Sequence, residues 1–277
     1  MKVIVTRPRR EADAWVKQLR DLQIDAVALS LIHISPPPDT SSVARVWQNL
    51  HQYSALMFVS SNAVRYFYPS NEHLSGVKYD DDAIKYRAWA TGPGTREALL
   101  AASVPADAID APAADAPQFD SEALWRRVQT QVKAGDKVLI VRGCSADPQN
   151  TKDTQDGENA ENGAMNGRPW LADQLTALGV QVDFVVSYQR RAPVFDAAEQ
   201  ALMAQARVDG SLWLLSSSEA VANLTSTTAA AAVDWSQARA LATHPRIAQA
   251  AREAGFGVVY VSRPLLADVV ASIESLL

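Results

Sequence analysis

Short apolar runs alternate with stretches of helical periodicity along the chain. Val3-Ile4-Val5 has the continuous apolar character of a strand covered on both faces. Glu11 to Leu22 then places Ala12, Trp15, Val16, Leu19 and Leu22 at helical spacing. The same alternation predicts strands at Ala26–Ile34, Ala55–Val59, Arg87–Ala90, Val138–Val141, Val182–Val186, Leu212 onward, Ala240 onward and Val258–Val261. Between them it predicts helices at Ala63–Tyr68, Arg96–Ala102, from Ser121-Glu122 to about Val132, Trp170–Leu178, up to Leu224, up to Ala254 and over Leu265–Leu277. Strands alternating with helices predict an α/β fold with parallel sheets. Ser35-Pro36-Pro37-Pro38 interrupts the pattern, because proline cannot continue a central strand, and could serve as a linker. Ala106–Phe119 reads as a surface loop.

The pattern repeats. Val3–Arg7 with its Trp-containing helix is echoed by Leu139–Arg142 and a second Trp-containing helix. Phe58-Val-Ser-Ser-Asn-Ala-Val64 is echoed by Leu215-Ser-Ser-Ser-Glu-Ala-Val221, and Ala90-Thr-Gly-Pro-Gly-Thr95 by Ala242-Thr-His-Pro-Arg-Ile247. The order A, B, A′, B′ predicts two similar doubly wound halves. It leaves open whether the domains are A with B and A′ with B′, or A with B′ enclosing B with A′.

Composition narrows the class. The chain has 277 residues, a length that suggests two domains, with 48% hydrophobic and 21% charged residues, which excludes overall disorder. One cysteine, Cys144, leaves no internal disulfide, and four scattered histidines show no zinc-ligand spacing. No run approaches 18 apolar residues, and the first apolar run is too short for a signal-peptide core, so the cytoplasm is the expected compartment. The net charge of −5 argues against nucleic acid as a partner. Ala146–Gly167 carries −4 of it and almost nothing apolar, which predicts a disordered insertion. The rest of the chain is near neutral. Asp80-Asp81-Asp82 reads as a solvated loop.

Candidate chemistry gathers where apolar strands end. Arg7 follows the first strand, and Ser60, Ser61 and Asn62 follow the strand at 55–59. Thr91, Gly92 and Thr95, Arg142 and Gly143, Ser216, Ser217 and Ser218, and Thr243 and His244 occupy the corresponding places elsewhere. Ligands of open α/β sheets sit at the carboxyl ends of the strands, and free N–H groups at helix starts attract anions. Ordinary helix capping explains the same Ser, Thr and Asn residues and is compatible with anion binding. Guanidinium suits carboxylate or phosphate, with Arg7 and Arg142 at equivalent strand ends of the repeats. Tyr188 ends a strand, and its phenol could give a proton or a hydrogen bond to a leaving oxygen; a packing tyrosine is the simpler reading. Standard nucleotide, zinc-protease and serine-hydrolase motifs are missing. A phosphoacceptor module would need a strand-end aspartate, where Ser, Thr and Arg stand.

The ordered set resembles the uroporphyrinogen-III synthase family. It comprises Val-Thr-Arg-Pro at 5–8, Phe-Val-Ser-Ser-Asn-Ala-Val at 58–64, Thr-Gly-Pro-Gly-Thr at 91–95, Ser-Glu-Ala-Leu at 121–124, and Leu-Ile-Val-Arg-Gly at 139–143. Arg168, Trp170-Leu171, Leu175, Leu178-Gly179, Tyr188, Ser216–Val221 and the helix of Thr243–Gly255 follow. The resemblance implies two α/β domains joined by a two-stranded linker near Ile34–Pro38 and Tyr188–Arg191. Residues 1–35 with 191–277 would form one, and residues 36–190, with the insertion 146–167, the other. It implies cyclisation of hydroxymethylbilane, a linear tetrapyrrole with eight carboxylates, with loss of water and inversion of the last pyrrole ring, through a spiro intermediate. Tyr188 would assist loss of the hydroxyl. No cofactor or metal is implied; the chain would act as a monomer, in transient contact with the upstream deaminase. The chain departs from the family in the insertion before Gly167-Arg168, and in His244-Pro245-Arg246-Ile247 where Gly-Pro-Thr-Thr is usual. A non-catalytic two-domain protein binding a polyanionic small molecule would share the same strand-end residues.

Overall fold

Residues 1–68, 86–146, 168–228 and 233–276 are described by the structure, a computed structural model. Asp80–Asp82 and, apart from Ala146, the acidic insertion lie outside the described residues.

The chain builds four modules in succession. The first is β1 (Val3–Val5), α1 (Arg9–Asp21) and β2 (Ala26–Ala28), followed by β3 (His33–Ser35). The second is α2 (Ser41–Gln48), β4 (Ala55–Phe58), α3 (Ser61–Phe67), β5 (Arg87–Ala90), α4 (Pro93–Ala101) and β6 (Ile109–Asp110). The third is α5 (Ser121–Val128), β7 (Lys137–Ser145), α6 (Arg168–Ala177) and β8 (Gln181–Arg191). The fourth is α7 (Ala197–Ala206), β9 (Leu212–Leu215), α8 (Ser218–Thr228), β10 (Arg239–Ala242), α9 (Pro245–Glu253), β11 (Val258–Val261) and α10 (Leu266–Glu274).

Strand pairing sorts these modules into two units, Met1–His33 with Arg191–Leu277, and Ile34–Arg190. In the first unit the sheet order is β2-β1-β9-β10-β11, all parallel, with Val3 opposite both Ala26 and Leu212. In the second it is β3-β8-β7-β4-β5-β6. Without the edge strand β3, that order is the first unit's order with β7 and β8 standing for β1 and β2, and β4, β5 and β6 for β9, β10 and β11. The internal repeat is therefore a topological one: each unit combines the short module of one copy of the repeat with the long module of the other copy. The chain crosses between units twice, at His33/Ile34 and Arg190/Arg191, on strands β3 and β8 that neighbour each other in the sheet.

Helices cover both faces of the sheets, so the central strands β1, β4 and β9 are apolar along their length. In the first unit Val3, Val5, Leu212, Leu214 and Leu241 pack against Ala12, Val16 and Leu19 of α1 and Val269 and Ile273 of α10. The alternate residues face the other way, where Trp213 meets Trp235 edge-on and Trp235 stacks on Phe256 at 5.0 Å. Gly257 sits beneath this cluster. A Cβ there would stand 1.8 Å from the backbone oxygen of Ser236, which cannot rotate away. Gly257→Ala is therefore expected to destabilise the first unit by on the order of 2 kcal/mol, measured as a lowered denaturant midpoint with an unchanged slope.

Several elements differ from the sequence reading. The run at 26–34 is two strands separated by buried Leu29, Leu31 and Ile32. The loop at 106–119 contains β6, too short for periodicity to reveal; Asp110 on it takes a bidentate pair from Arg87, Nε and Nη2 each at 2.8 Å. The cap of α5 is Asp120 rather than Ser121, its carboxylate accepting from Ala123 N at 2.8 Å. α2 and α7 were not predicted. α2 contributes Trp47, stacked on Phe67, and α7 starts with an Asp196/Glu199 capping box. β7 and β8 run well past their apolar parts, because Gly143–Ser145 and Tyr188–Arg190 pair through backbone alone. No helix of the described residues is long and apolar enough to cross a membrane.

Candidate active site

Each sheet has one place where the chain's connections diverge, and ligands of open α/β sheets sit at the carboxyl ends of the strands beside such a switch point. In the first unit it lies between β1 and β9, in the second between β7 and β4. The sequence candidates stand at these two edges and beside them.

In the second unit β4 ends at Phe58, Val59 N bonds to Val141 O, and Ser60 turns the chain into α3. Ser60 Oγ accepts the Ala63 N–H at 3.1 Å, which satisfies one donor at the helix start. The same oxygen lies 3.1 Å from the Tyr188 hydroxyl. Tyr188 reaches it because of an irregularity in β8. Arg142 is opposite Val186 but Gly143 is opposite Tyr188, so Ser187 is an extra residue on β8, and bulges of this kind re-aim side chains. Ser187 Oγ anchors the bulge on Ala63 O at 3.2 Å. The Tyr188 ring then lies over Gly143: a Cβ there would come within 2.4 Å of its Cζ. Its other neighbour is Tyr66, stacked at 6.1 Å and 26°. Tyr188 is 3% exposed, held against glycine on one strand, an aromatic ring and a serine hydroxyl.

The remaining candidates of this unit divide by exposure. Ser61, Asn62, Thr91 and Gly92 are half-buried at the same edge; Thr91 Oγ1 donates to Val59 O at 3.3 Å. Asn62 Oδ1 accepts from Arg65 at 3.4 Å. Thr95 is buried in α4. Arg142 is 5% exposed, its guanidinium 5.0 Å from the Phe184 ring.

In the first unit, Thr6 ends β1 by donating from Oγ1 to Leu214 O at 2.7 Å. Arg7 follows, half-buried, its guanidinium 4.3 Å from the Trp15 ring and 3.7 Å from the Glu11 carboxylate. Burial holds this guanidinium below its ordinary value while Glu11 opposes the shift, and the group stays charged. On the neighbouring strand end, Ser216, Ser217 and Ser218 are half-buried after β9; Ser217 Oγ accepts from Ala220 N at 3.4 Å, and Ser218 Oγ is buried with no hydrogen-bond partner among the described residues. Thr243 is buried at the end of β10. His244, where the usual pattern has another residue, caps α9: its Nδ1 accepts from Arg246 N at 3.1 Å. His244→Ala is expected to cost about 1 kcal/mol of stability, and His244→Ser to restore most of it; thermal melts of the two variants check this.

Ser60, Gly143 and Tyr188 are thus brought into contact, with Thr91 beside them through Val59. Arg7 and Ser216–Ser218 stand at the ends of the neighbouring strands β1 and β9, and Arg142, Thr95 and Thr243 are buried. Sequence reasoning missed Tyr66, Ser187 and Trp15 as supporting residues. A stack and a bulge anchor leave no spacing signal, although Trp15 was visible as an apolar helix position.

A family model described as uroporphyrinogen-III synthase HemD matches residues 13–153 and 162–270. The uroporphyrinogen-III synthase of Escherichia coli (strain K12) is 30% identical over 212 residues, 75% of this chain and 72% of its own. That of Salmonella typhimurium (strain LT2) is 27% identical over 273 residues, 95% of each. Among solved structures, a mutant uroporphyrinogen III synthase from the extremely thermophilic bacterium Thermus thermophilus superposes with a TM-score of 0.54 at 15% identity, covering 99% of this chain and 98% of its own. The synthetase from Helicobacter pylori 26695 gives 0.54 at 14% identity over the whole of both chains. At such identities these structures show a shared fold.

Proposed function

The chain belongs to the uroporphyrinogen-III synthase family and cyclises hydroxymethylbilane to uroporphyrinogen III, and from that premise we propose that Tyr188 is the group that assists departure of the hydroxyl. The observation that carries the proposal is the construction around Tyr188. A bulge, a glycine without room for a methyl group and an aromatic stack all converge on aiming one phenol at the strand-end hydroxyl of Ser60.

The chemistry asks little of the protein at the first step. A pyrrole nitrogen of the bilane pushes electrons toward the carbon bearing the hydroxyl, and the C–O bond breaks as the oxygen takes a proton from Tyr188 and leaves as water. The carbon so unmasked is attacked by the bridge-bearing α-carbon of the last pyrrole, which becomes a spiro centre. The older bond from that centre to its methylene bridge then breaks, the freed bridge carbon is attacked by the unsubstituted α-carbon of the same, now inverted ring, and the proton lost from that α-carbon restores the phenol. Selecting the inverted isomer is the harder task, because simple head-to-tail closure competes; the protein must favour one transition state by the way it holds the chain.

Holding falls to the strand ends. Ser61, Asn62, Thr91 and Gly92 in one unit, and Arg7, Ser216, Ser217 and Ser218 in the other, are half-buried hydroxyl, amide, backbone or guanidinium groups suited to the substrate's carboxylates. Arg142, Gly143, Thr95, Thr243 and His244 support these edges from buried positions and helix starts. Action as a monomer, in transient contact with the upstream deaminase, completes the proposal; sedimentation of the chain alone and with that deaminase tests both.

The decisive assay couples the chain to a porphobilinogen deaminase, oxidises the products and separates the porphyrin isomers. Isomer III is expected. Isomer I alone would mean the chain only binds the bilane, as a polyanion-binding protein would.

A further inference from the structure

We infer that Ser60 is the positioning residue of Tyr188, an inference that rests on the role assigned to Tyr188 above. Ser60 holds the phenol in place and donates to its oxygen as the phenol gives up its proton. A serine hydroxyl has one proton and two lone pairs. One lone pair of Ser60 Oγ is taken by the Ala63 N–H at 3.1 Å, which fixes the oxygen at the start of α3. The Tyr188 oxygen, 3.1 Å away, is a partner within reach of the serine proton. When Ser60 donates, the proton of Tyr188 is turned away from Ser60, the orientation in which it can be given to another oxygen. Once it has been given, the serine bond becomes a charge-assisted one to phenolate, the stronger kind. The Tyr188 ring is buried against Gly143 and beside Tyr66, which limits its freedom to swing toward a substitute partner. α3 is coupled to the same device, since Ser187 of the bulge bonds Ala63 O while Ala63 N bonds Ser60.

The alternative is that Ser60 merely caps α3. Kinetics in two backgrounds separates the two roles. Ser60→Ala is expected to lower kcat about tenfold with KM changed less than twofold, the size of one hydrogen bond to a developing charge. In the Tyr188→Phe background the same substitution is expected to slow turnover by less than twofold, because the bond it removes no longer exists. Ser60→Thr keeps both the cap and the hydroxyl and is expected to recover most of the lost turnover. Thermal melts of each variant report the capping contribution apart from the rates. Equal slowing by Ser60→Ala in both backgrounds, or full turnover in Ser60→Ala, overturns the inference while leaving Tyr188 in its role. Full turnover in Tyr188→Phe overturns both.

Discussion

Tyr188→Phe is expected to lower kcat by about a hundredfold, the lower range of what a positioned proton donor contributes, with KM nearly unchanged. The substitution removes one oxygen and keeps the ring that fills the space between Gly143 and Tyr66, so the fold is expected to persist. Tyr188 is 3% exposed, and the hydrogen bond it forfeits is the one to Ser60, whose own capping bond to Ala63 remains. A melting temperature within a few degrees of the parent, together with the hundredfold loss, separates catalysis from stability. Isomer analysis adds a second reading. Slow but exclusive formation of isomer III would place Tyr188 at loss of the hydroxyl, and a mixture would place it at ring inversion. Turnover equal to the parent would remove Tyr188 from the mechanism.

Gly143→Ala is expected to combine a comparable loss of turnover with a loss of stability of roughly 1–3 kcal/mol. The added Cβ would lie 2.4, 2.5 and 2.8 Å from three atoms of the Tyr188 ring, and those are its nearest neighbours. Either the ring leaves its place or β7 and β8 part at the bulge. Because all three contacts are to one side chain, the cost should vanish when that side chain is cut back. Gly143→Ala added to Tyr188→Ala is expected to destabilise by less than about 0.5 kcal/mol, a strong coupling in a double-mutant cycle of denaturation midpoints. An additive result would mean that the glycine is needed for a reason other than the tyrosine. The glycine on β7 leaves room for the ring of Tyr188 opposite it on β8.

The α/β class was legible because parallel strands buried on both faces must be apolar along their length. Runs such as Ala55–Phe58 and Leu212–Leu215 therefore stand out from the helical spacing of α1. The strand-end hydroxyls were legible for a related reason, since Ser60 and Ser217 are polar groups set where apolar runs end and helices begin. The distal halves of β7 and β8 were not. Gly143–Ser145 and Tyr188–Arg190 pair through backbone groups that every residue carries, and no side-chain pattern announces them. α2 carries no such signal although it supplies Trp47, while the start of α7 is written in the sequence as the Asp196/Glu199 box.

The net charge illustrates the same division on the scale of the chain. Sequence alone assigns most of the −5 to Ala146–Gly167 and leaves a near-neutral remainder with arginines at strand ends. It could not say that Arg142 is buried against Phe184 while Arg7 lies half-buried over Trp15. That depends on which faces of separate strands and helices meet.

Periodicity and repetition along the chain established the elements, their alternation and the existence of two kindred halves, because burial on one face or two is a local property written into neighbouring residues. Partnership between distant segments is not local. The repeat was equally consistent with two arrangements, and pairing of Val3 with Leu212 chose the one in which the chain's ends share a sheet. The contact of Tyr188 with Ser60 and Gly143 likewise joins three strands or strand ends whose order in the sheet depends on hydrogen bonds between segments more than a hundred residues apart in one case and about forty-five in the other. No spacing encodes that meeting; it arises from the parallel register of β4, β7 and β8 and from the single extra residue in β8.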